Sequence, residues 1–404
     1  MQATKKHVLI VGGGPIGLVS AYLLSRAGIA VTLIERSDVL LDDLRASTFH
    51  PPTLQLLDSI GVAHTLIEQG LIARYSQQRD RHLGIIAEFD MQLLADVTPF
   101  PFRLQCEQFK LTRVLKERLN AFPDCRLLFG AKAVDVVQTN EVVRVEIEYD
   151  GATKILTGDY LIGADGAGSL VRQKSGIGFP GFTYPERFLS VSTEFDFKSI
   201  MPDLCFVNYA SDPEIWYVLL RTPTLWRVLV PTSPEHTDAQ SLDEGSIGET
   251  LQSLFPKKDP YTLVHRTLYN VHQRVADTYR KGRVLIGGDA AHINNPIGGM
   301  GLNGGVHDAF SLSDKLIRVL VHGESESVLE DYEKERRGTA ISFINESTAR
   351  NKRNLEESNP SLRAKRQAEL RRISESPVEA KEYLLKTSMI ASLGDEAKNW
   401  ARKE

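Results

Sequence analysis

The sequence predicts an α/β protein that carries an inserted antiparallel sheet and a C-terminal helical tail. Two glycine-rich stretches, at 12–17 and 287–305, each follow a short apolar run and precede a helical pattern. Between them, residues 215–221 and 226–231 have the pattern of antiparallel strands. After residue 345 the composition shifts towards Arg, Glu, Lys and Ser, which is typical of solvated helices.

The composition is that of an ordinary globular protein. The 404 residues are 42% hydrophobic and 25% charged with a net charge of −4, which gives no reason to expect nucleic acid as a partner. Three scattered cysteines without a CxxC pair favour a reducing compartment. Glycines at 12–14 interrupt the first apolar run, so a signal peptide is not expected. We expect a cytoplasmic protein with no integral membrane segment and no metal site.

The first glycine stretch has the pattern of a βαβ dinucleotide-binding unit. HVLIV at 7–11 is typical of a buried parallel strand, GxGxxG follows it, and a helical pattern comes next. A second strand at 30–35 ends in Glu35, the expected ribose-binding acid, and Arg36 is assigned to the same site. The residues of the turn assigned to the cofactor are Gly12, Gly14, Pro15, Ile16 and Gly17. This unit alone leaves NAD, NADP and FAD open.

Two further segments place an aspartate directly after an apolar strand. YLIGADGAGSLVR at 160–172 contains Asp165, although an ordinary turn capped by an aspartate is the alternative interpretation. RVLIGGDAAH at 283–292 contains Asp289 and leads into the long glycine loop. Glycine in such numbers suggests a backbone that closely approaches a ligand.

Together, and in this order, the three motifs resemble those of the group A flavin-dependent aromatic hydroxylases, over residues 5–345. The resemblance implies a Rossmann-like FAD-binding domain. It also implies that Asp165, with Gly166 and Arg172, serves FAD and NAD(P)H, and that Asp289 binds the ribityl chain. Further cofactor-binding residues carried over by the resemblance are Arg45, Gln108, Pro296, Gly299, Gly301, Leu302 and Asn303. A helix beginning near Gly304 would point its positive end at the flavin ring.

Some of these assignments keep alternatives. Arg45 is otherwise a surface arginine, and Gln105, one turn before Gln108, is an equal candidate for the flavin-contacting glutamine. His292, within the third motif, is interpreted as structural rather than as a catalytic base.

The chain is expected to divide into three parts. These are a discontinuous FAD-binding domain (1–74, 98–180 and 276–345), a substrate-binding domain (75–97 and 181–275) and a C-terminal helical segment (346–404). The two inserts lack a helical period and are expected to form a sheet that roofs the substrate pocket. The C-terminal segment is interpreted as a solvated cap on the FAD-binding domain, with a dimer contact as the alternative. A monomer or a homodimer is therefore expected.

Aromatic and cationic residues of the second insert are candidates for the pocket lining. They are Tyr209, Trp216, Tyr217 and Arg221, of which Tyr217 and Arg221 are preferred. Each of them could instead be an ordinary residue of a sheet face.

The resemblance implies an FAD-dependent monooxygenase that uses NADH or NADPH and O₂. It would hydroxylate a small aromatic substrate, phenolic or heteroaromatic, through a flavin C4a-hydroperoxide. The protein would position the substrate and exclude water, and no catalytic residue is assigned. The alternatives are an FAD-dependent epoxidase or oxidase, a non-catalytic FAD-binding redox sensor, and an NAD(P)-dependent dehydrogenase.

Overall fold

The computed structural model describes residues 5–42, 44 and 46–393. The strands are β1 (His7–Val11), β2 (Ala30–Glu35), β3 (Thr48–Phe49), β4 (Leu71–Ala73), β5 (Tyr75–Asp80), β6 (Gly84–Asp90), β7 (Arg103–Gln105), β8 (Cys125–Phe129), β9 (Lys132–Gln138), β10 (Val143–Tyr149), β11 (Ala152–Gly158), β12 (Tyr160–Gly163), β13 (Gly181–Thr193), β14 (Val207–Ser211), β15 (Tyr217–Arg221), β16 (Trp226–Pro231), β17 (Leu263–Val275), β18 (Arg280–Lys281), β19 (Val284–Ile286) and β20 (His292–Ile293). The helices are α1 (Pro15–Arg26), α2 (Pro51–Ser59), α3 (Ala63–Glu68), α4 (Gln108–Leu119), α5 (Leu170–Lys174), α6 (Asp238–Ser241), α7 (Glu244–Leu254), α8 (Met300–Leu320), α9 (Val328–Thr339), α10 (Glu346–Glu356), α11 (Pro360–Glu375) and α12 (Pro377–Thr387).

Shorter helical turns join these elements. Tight 3₁₀ turns occupy Met91–Leu94, Phe197–Ser199, Gly288–Ala290 and Ile390–Ser392, and a π-helical stretch spans Ala340–Asn345 between α9 and α10. Within the described residues, none of the helices combines the length and the apolar character that crossing a membrane requires.

A six-stranded sheet forms the centre of the cofactor-binding half. Its order is β18-β19-β12-β1-β2-β8, and every neighbouring pair is parallel except β18 with β19. Helix α1 packs against α4 and α8 beside this sheet, and strands β1, β12 and β19 are almost completely buried. Continuous apolar runs such as HVLIV suit strands that are buried on both faces.

An eight-stranded sheet forms the other half, in the order β20-β17-β13-β16-β15-β14-β5-β6. It takes two strands from the first predicted insert and five from the second. Its neighbours are antiparallel except β14 and β5, which pair in parallel at the place where the two inserts meet. Smaller sheets, β3-β7-β4 and β11-β10-β9, flank the six-stranded sheet. The domain boundaries predicted from the sequence remain predictions.

The second insert also contains a helix, so the expectation that the inserts lack helical structure was wrong there. Helix α7 begins after Asp243, whose side chain accepts a hydrogen bond from the Ser246 N–H (2.9 Å). Its buried face consists of Ile247, Leu251 and Leu254, which pack against the eight-stranded sheet.

The C-terminal helices lie on the eight-stranded sheet and also contact the FAD-binding half at Arg103 and Ile297, so their interpretation as a cap on the FAD-binding domain alone was incomplete. Helix α10 contacts β14, α11 contacts β6, and α12 contacts the turn at Met91–Leu94. Phe89 of β6 stacks on Tyr383 of α12 with a centroid distance of 4.2 Å. A small apolar cluster, which includes Ala380 and Leu384, holds this layer against the sheet.

Candidate functional site

The turn between β1 and α1 brings three glycines into different surroundings. Gly12 has φ +111°, and a Cβ there would lie 2.2 Å from the Ala164 oxygen at the end of β12. A Cβ on Gly17 would lie 1.9 Å from the Gly12 oxygen, so this position packs helix on strand. No atom lies within 4 Å of a Cβ placed on Gly14, which faces open space at the start of α1. Pro15 and Ile16 then open the helix.

Glu35 completes this turn. Its carboxylate accepts hydrogen bonds from the Gly13 N–H (2.6 Å) and the Ser37 N–H (2.9 Å), so the end of β2 is tied to the glycine turn. Arg36 is exposed beside it. Arg45 lies outside the described residues, and its predicted contact with FAD stays a prediction.

The second motif forms a turn at the end of β12. The Asp165 carboxylate accepts hydrogen bonds from the Ser169 hydroxyl and from the Val171 N–H (3.1 Å), and burial raises its pKa. Arg172 donates to the carbonyl oxygens of Ala167 and Ala290, both at 2.9 Å. One guanidinium therefore joins the second motif to the third.

The third motif packs directly on the first. Gly288 has φ +59°, and a Cβ there would lie 2.8 Å from the Ile16 side chain. Asp289 is exposed at the turn that follows β19. Because the Ala164 N–H donates to Val11 and the Gly287 N–H donates to Gly163, the ends of β1, β12 and β19 are adjacent.

A buried ionic network holds this turn from behind. The Asp308 carboxylate accepts hydrogen bonds from the Gly288 N–H (3.0 Å), His292 Nε2 (2.8 Å) and Arg336 Nε (2.8 Å). Burial alone would raise the pKa of Asp308, but His292 and Arg336 lower it to about 2. His292 thus supports the turn, in agreement with its interpretation as a structural residue.

The glycine loop ends in helix α8, which begins at Met300, four residues before the predicted start. Gly299 caps the helix in the left-handed conformation, φ +67°. Asn303 is buried in the first turn, where its side chain accepts a hydrogen bond from the His50 N–H (2.8 Å) and donates to the Thr48 oxygen (2.8 Å). The side-chain amide of Asn303 therefore ties the glycine loop to the segment at Thr48 and His50. Any contact of Asn303 with FAD would have to come from its backbone.

The remaining predicted residues of the glycine loop differ in their exposure. Pro296 is exposed, and Gly301 and Leu302 are half-buried in the first turn of α8. Backbone N–H groups of a first helical turn are free to bind anionic or electron-rich groups.

The two candidate glutamines differ in their environment. Gln108 is half-buried at the start of α4, and its backbone N–H donates to the Ala46 oxygen (3.0 Å). Gln105 is fully buried in β7, where its Oε1 accepts from the Thr48 hydroxyl (3.2 Å) and its Nε2 has no partner. The half-buried Gln108 is the better placed of the two for a ligand.

Together these turns form a cradle that fits FAD. The open faces of Gly14, Gly166 and Gly168 meet no atom within 4 Å of an added Cβ. An acid stands at each place where hydroxyls are expected, Glu35 for the ribose and Asp289 for the ribityl chain. Among the residues that the structure describes, no cluster of three His, Cys, Asp or Glu side chains could hold a metal ion.

A cavity lies between the eight-stranded sheet and the glycine loop. Its walls come from the sheet, the glycine loop, β7 and the C-terminal helices. The lining residues used below are Ile297 and Gly298 of the loop, Arg103 of β7, Tyr209 of β14, Arg366 of α11 and Tyr383 of α12. Most of the cavity wall is thus polar, and two of its residues are arginines.

The structure separates the four residues that were candidates for the pocket lining. Tyr209 lines the cavity, and Trp216 packs in the same apolar cluster as Tyr209 and Ile297. Tyr217 packs on Phe255 on the other face of the sheet, where α7 covers it, and Arg221 lies near Trp226 on that face (5.7 Å to the ring centroid). Their placement argues against the preferred pair, Tyr217 and Arg221, and favours Tyr209.

Sequence reasoning missed the residues that the C-terminal helices and β7 contribute. Arg103, Arg366 and Tyr383 lie in segments without a recognisable motif. They meet only because distant parts of the chain fold together, so no local pattern signals them. The one available signal is Arg103 itself, the single charged residue of the strand context FRLQC.

Glycine turns that fit a dinucleotide, together with a cavity covered by a sheet, are features of a dinucleotide-dependent enzyme. The chain belongs to the FAD binding domain family, which it matches over residues 5–347. It is 35% identical over 362 residues to a 6-hydroxy-3-succinoylpyridine 3-monooxygenase of Pseudomonas putida, covering 89% of this chain and 91% of that protein. It is 32% identical over 387 residues to a para-nitrophenol 4-monooxygenase of a Pseudomonas species, covering 95% of each.

A solved structure agrees with these relatives. The crystal structure of p-nitrophenol 4-monooxygenase from Pseudomonas putida DLL-E4 superposes with a TM-score of 0.91 at 30% identity, covering 96% of this chain and 98% of that one. The chain is an FAD-dependent monooxygenase of aromatic compounds. The fold class, the cofactor and the activity predicted from the sequence are confirmed.

Proposed function

We propose that this enzyme hydroxylates a small phenolic or hydroxypyridine ring inside the cavity beneath the eight-stranded sheet, with NADH or NADPH as reductant. The observation that carries the proposal is that one cavity is lined both by the glycine loop, at Ile297 and Gly298, and by Tyr209 of the sheet. A ring held there would lie between the predicted flavin-binding loop and a wall that can donate hydrogen bonds. The relatives named for a nitrophenol and a hydroxypyridine act on rings of this kind.

Several of the predicted cofactor residues can be assigned to a part of FAD from their positions in the structure. FAD, when bound, supplies the chemistry of accepting hydride from a nicotinamide and of activating O₂. Gly14 and the first amides of α1 would hold the pyrophosphate, Glu35 the ribose hydroxyls, and Asp289 the ribityl hydroxyls. The first turn of α8 would place its N–H groups against the flavin ring.

The rest of the chain would exclude water and orient the substrate. The eight-stranded sheet closes one side of the cavity, and the C-terminal helices close the other. Exclusion of water matters because a reactive oxygen species that meets water is lost as H₂O₂ instead of hydroxylating the ring. Orientation of the ring brings the carbon to be hydroxylated within reach of that oxygen.

Stopped-flow reduction tests this proposal. The holoenzyme is mixed anaerobically with NADH or NADPH in the presence of a panel of phenols, hydroxypyridines and aromatic acids. We expect at least one member to accelerate flavin reduction about tenfold, a change of about 1.4 kcal/mol in barrier. The same compound in air should yield a product with one added oxygen by mass spectrometry. Fast reduction that no compound changes, with H₂O₂ as the sole oxygen product, would instead identify an oxidase or a redox sensor.

We also infer a cytoplasmic location and a monomer or homodimer. Free thiols at Cys106, Cys125 and Cys205 support a reducing compartment. Light scattering of the holoenzyme distinguishes the two assembly states, and cell fractionation tests the location.

A further inference from the structure

Arg103 is a buried cation for which the described residues provide no counter-ion. Its side chain is only 4% exposed, and its guanidinium donates to the Tyr209 hydroxyl (3.1 Å) and to the Thr387 backbone oxygen (3.2 Å). Its Nε is buried and has no hydrogen-bond partner. Within the described part of the chain, no carboxylate lies within 4.0 Å of it. A buried charge of this kind is costly unless an opposite charge joins it.

A second guanidinium lines the same cavity. Arg366 of α11 donates to the Asn354 backbone oxygen, and burial lowers its pKa to about 10, which leaves it charged at neutral pH. Glu357 and Glu369 interact with it electrostatically, so Arg366 is the better compensated of the two arginines. The other residues that line the cavity are uncharged.

The electrostatic effect of Arg103 extends to its surroundings. His50 lies behind the glycine loop, where burial and then the charge of Arg103 lower its pKa to about 3. The cavity wall is therefore cationic, while the opposite wall is the glycine loop at Ile297 and Gly298.

We propose that Arg103 and Arg366 form an anion subsite that selects substrates with an anionic oxygen, either a ring carboxylate or a phenolate. The proposal rests on the proposed function and specifies the substrate class of the same cavity. A guanidinium binds such oxygens through charge-assisted hydrogen bonds, and both Arg103 and Arg366 line the cavity. The bound anion would fix one end of the ring and direct the other end towards the glycine loop. Arg103 and Arg366 are thus specificity-determining residues.

Two pairs of matched ligands test the subsite on the FAD-loaded enzyme. Methyl 4-hydroxybenzoate lacks the carboxylate charge of 4-hydroxybenzoate, and 4-nitroanisole lacks the ionisable hydroxyl of 4-nitrophenol. Dissociation constants are measured by the change in flavin fluorescence at a pH where 4-nitrophenol is ionised. We expect the wild-type enzyme to prefer the anionic member of at least one pair by about tenfold or more. A preference within the benzoate pair would identify a carboxylate subsite, and a preference within the nitrophenol pair would identify a phenolate subsite.

Charge-removing variants then locate the preference. Arg103→Met and Arg366→Met should each reduce it to about twofold or less, whereas Arg103→Lys should retain part of it. Arg371→Met, which removes an exposed charge from the same helix as Arg366, should leave it unchanged. Thermal unfolding checks that each variant is folded. If Arg103→Met does not fold, the test uses Arg366→Met instead. We expect this variant to fold because the wild-type Arg366 guanidinium donates one hydrogen bond, to the Asn354 backbone oxygen.

Three results would overturn the anion subsite: no preference in the wild-type enzyme, equal weakening of both members of a pair in the variants, or loss of FAD in place of loss of ligand preference. The readout is binding, so it is separate from turnover. If the preference is present and no ligand is hydroxylated, the proposed function fails while the subsite stands.

Discussion

Gly12, Gly14 and Gly17 belong to one short motif, but their replacement should have different consequences. An added Cβ would collide with backbone at Gly12 and at Gly17, whereas it would meet nothing at Gly14. We therefore infer that Gly12 and Gly17 serve the fold and that Gly14 serves the approach of a ligand. The motif itself could be recognised from sequence because it depends on a local turn and a local helix start.

We expect Gly14→Ala to weaken FAD binding by about tenfold or more while the free energy of unfolding of the apoprotein changes by less than about 1 kcal/mol. The added methyl would occupy the space where the pyrophosphate meets the helix. Gly17→Ala is the matched control, and it should destabilise the apoprotein because its methyl would lie 1.9 Å from the Gly12 oxygen. Urea unfolding and flavin fluorescence measure the two effects. Wild-type FAD affinity in Gly14→Ala would contradict the assignment.

Asp289 offers a second test of the cradle. Its side chain is exposed, so Asp289→Ala should leave the apoprotein folded. A carboxylate that accepts hydrogen bonds from ribityl hydroxyls contributes about 1.5–3 kcal/mol for each bond. The variant should therefore bind FAD at least about tenfold more weakly in a fluorescence titration. The control is Asp124→Ala, which removes an exposed carboxylate that pairs with Lys5 and should bind FAD as the wild type does. Equal FAD affinities of the wild type, Asp289→Ala and Asp124→Ala would exclude the role of Asp289.

The residues of the cavity beneath the sheet were harder to predict for a geometric reason. Alternation along a strand shows which residues share a face, and it groups Tyr217 with Arg221. It does not show which face meets the ligand, because both faces of this sheet are covered. Helix α7 covers the face of Tyr217, while the glycine loop and C-terminal helices cover the face of Tyr209. Only the tertiary structure decides between them.

At the level of elements, helix α8 shows how packing overrides a local signal. Glycines at 301, 304 and 305 each disfavour a helix by about 1 kcal/mol relative to alanine, which placed the predicted start too late. In the structure, a Cβ on Gly304 would lie 3.0 Å from Ile344, and one on Gly305 would lie 2.8 Å from Ile16. The helix accepts glycine because its neighbours pack too closely for a side chain.

His50 fastens the glycine loop and should make the stability of the protein depend on pH. Its Nε2–H donates to the Gly298 oxygen (2.8 Å), and burial lowers its pKa from 6.5 to about 3. The folded state keeps His50 neutral, while the unfolded chain takes up a proton as the pH falls through 6.5. The unfolded state then binds more protons, so the free energy of unfolding falls, by about 2 kcal/mol from this residue between pH 7 and pH 5.

His50→Gln retains an N–H donor for Gly298 but does not titrate. Its free energy of unfolding, from urea titrations at pH 7, 6 and 5, should fall less steeply than that of the wild type, by about 2 kcal/mol over this range. A slope remains because His307 is also buried, which lowers its pKa well below the usual value. His322→Gln removes an exposed histidine and should leave the slope unaltered. Identical slopes for His50→Gln and the wild type would show that His50 is protonated in the folded state.

On the scale of the whole molecule, the cofactor half was predictable and the closure of the cavity was not. The cofactor motifs are contiguous strand-turn-helix units, whose meaning depends on local geometry. The C-terminal layer depends on contacts such as that between Arg363 and Asp80, which are 283 residues apart. Helix α11 has half-buried residues such as Arg366 but none that is fully buried, so its composition indicates a solvated helix even though it rests on β6.

Asp80 is the main polar anchor of this layer. Its carboxylate is 3% exposed and accepts hydrogen bonds from Arg363 and Gln367 (2.7 Å) of α11 as well as from the turn after β5. Burial alone would raise the pKa of Asp80, but these hydrogen bonds lower it. The folded protein therefore stabilises the ionised form of Asp80. Loss of the charge should loosen α11, which carries Arg366 into the cavity wall.

We expect Asp80→Asn to weaken the docking of α11 by about 1–3 kcal/mol, because a buried donor loses its charged acceptor. Amide hydrogen exchange in residues 360–375 should accelerate, FAD affinity should stay at the wild-type value, and the share of NAD(P)H lost as H₂O₂ should rise as water enters the cavity. Asp96→Asn is the matched control, since its carboxylate pairs with Lys381 of α12 but is 67% exposed and contributes little. Faster exchange without more H₂O₂ would show that α11 is not the element that keeps water from the reacting oxygen, and the closure would then depend on α12, where Tyr383 stacks on Phe89.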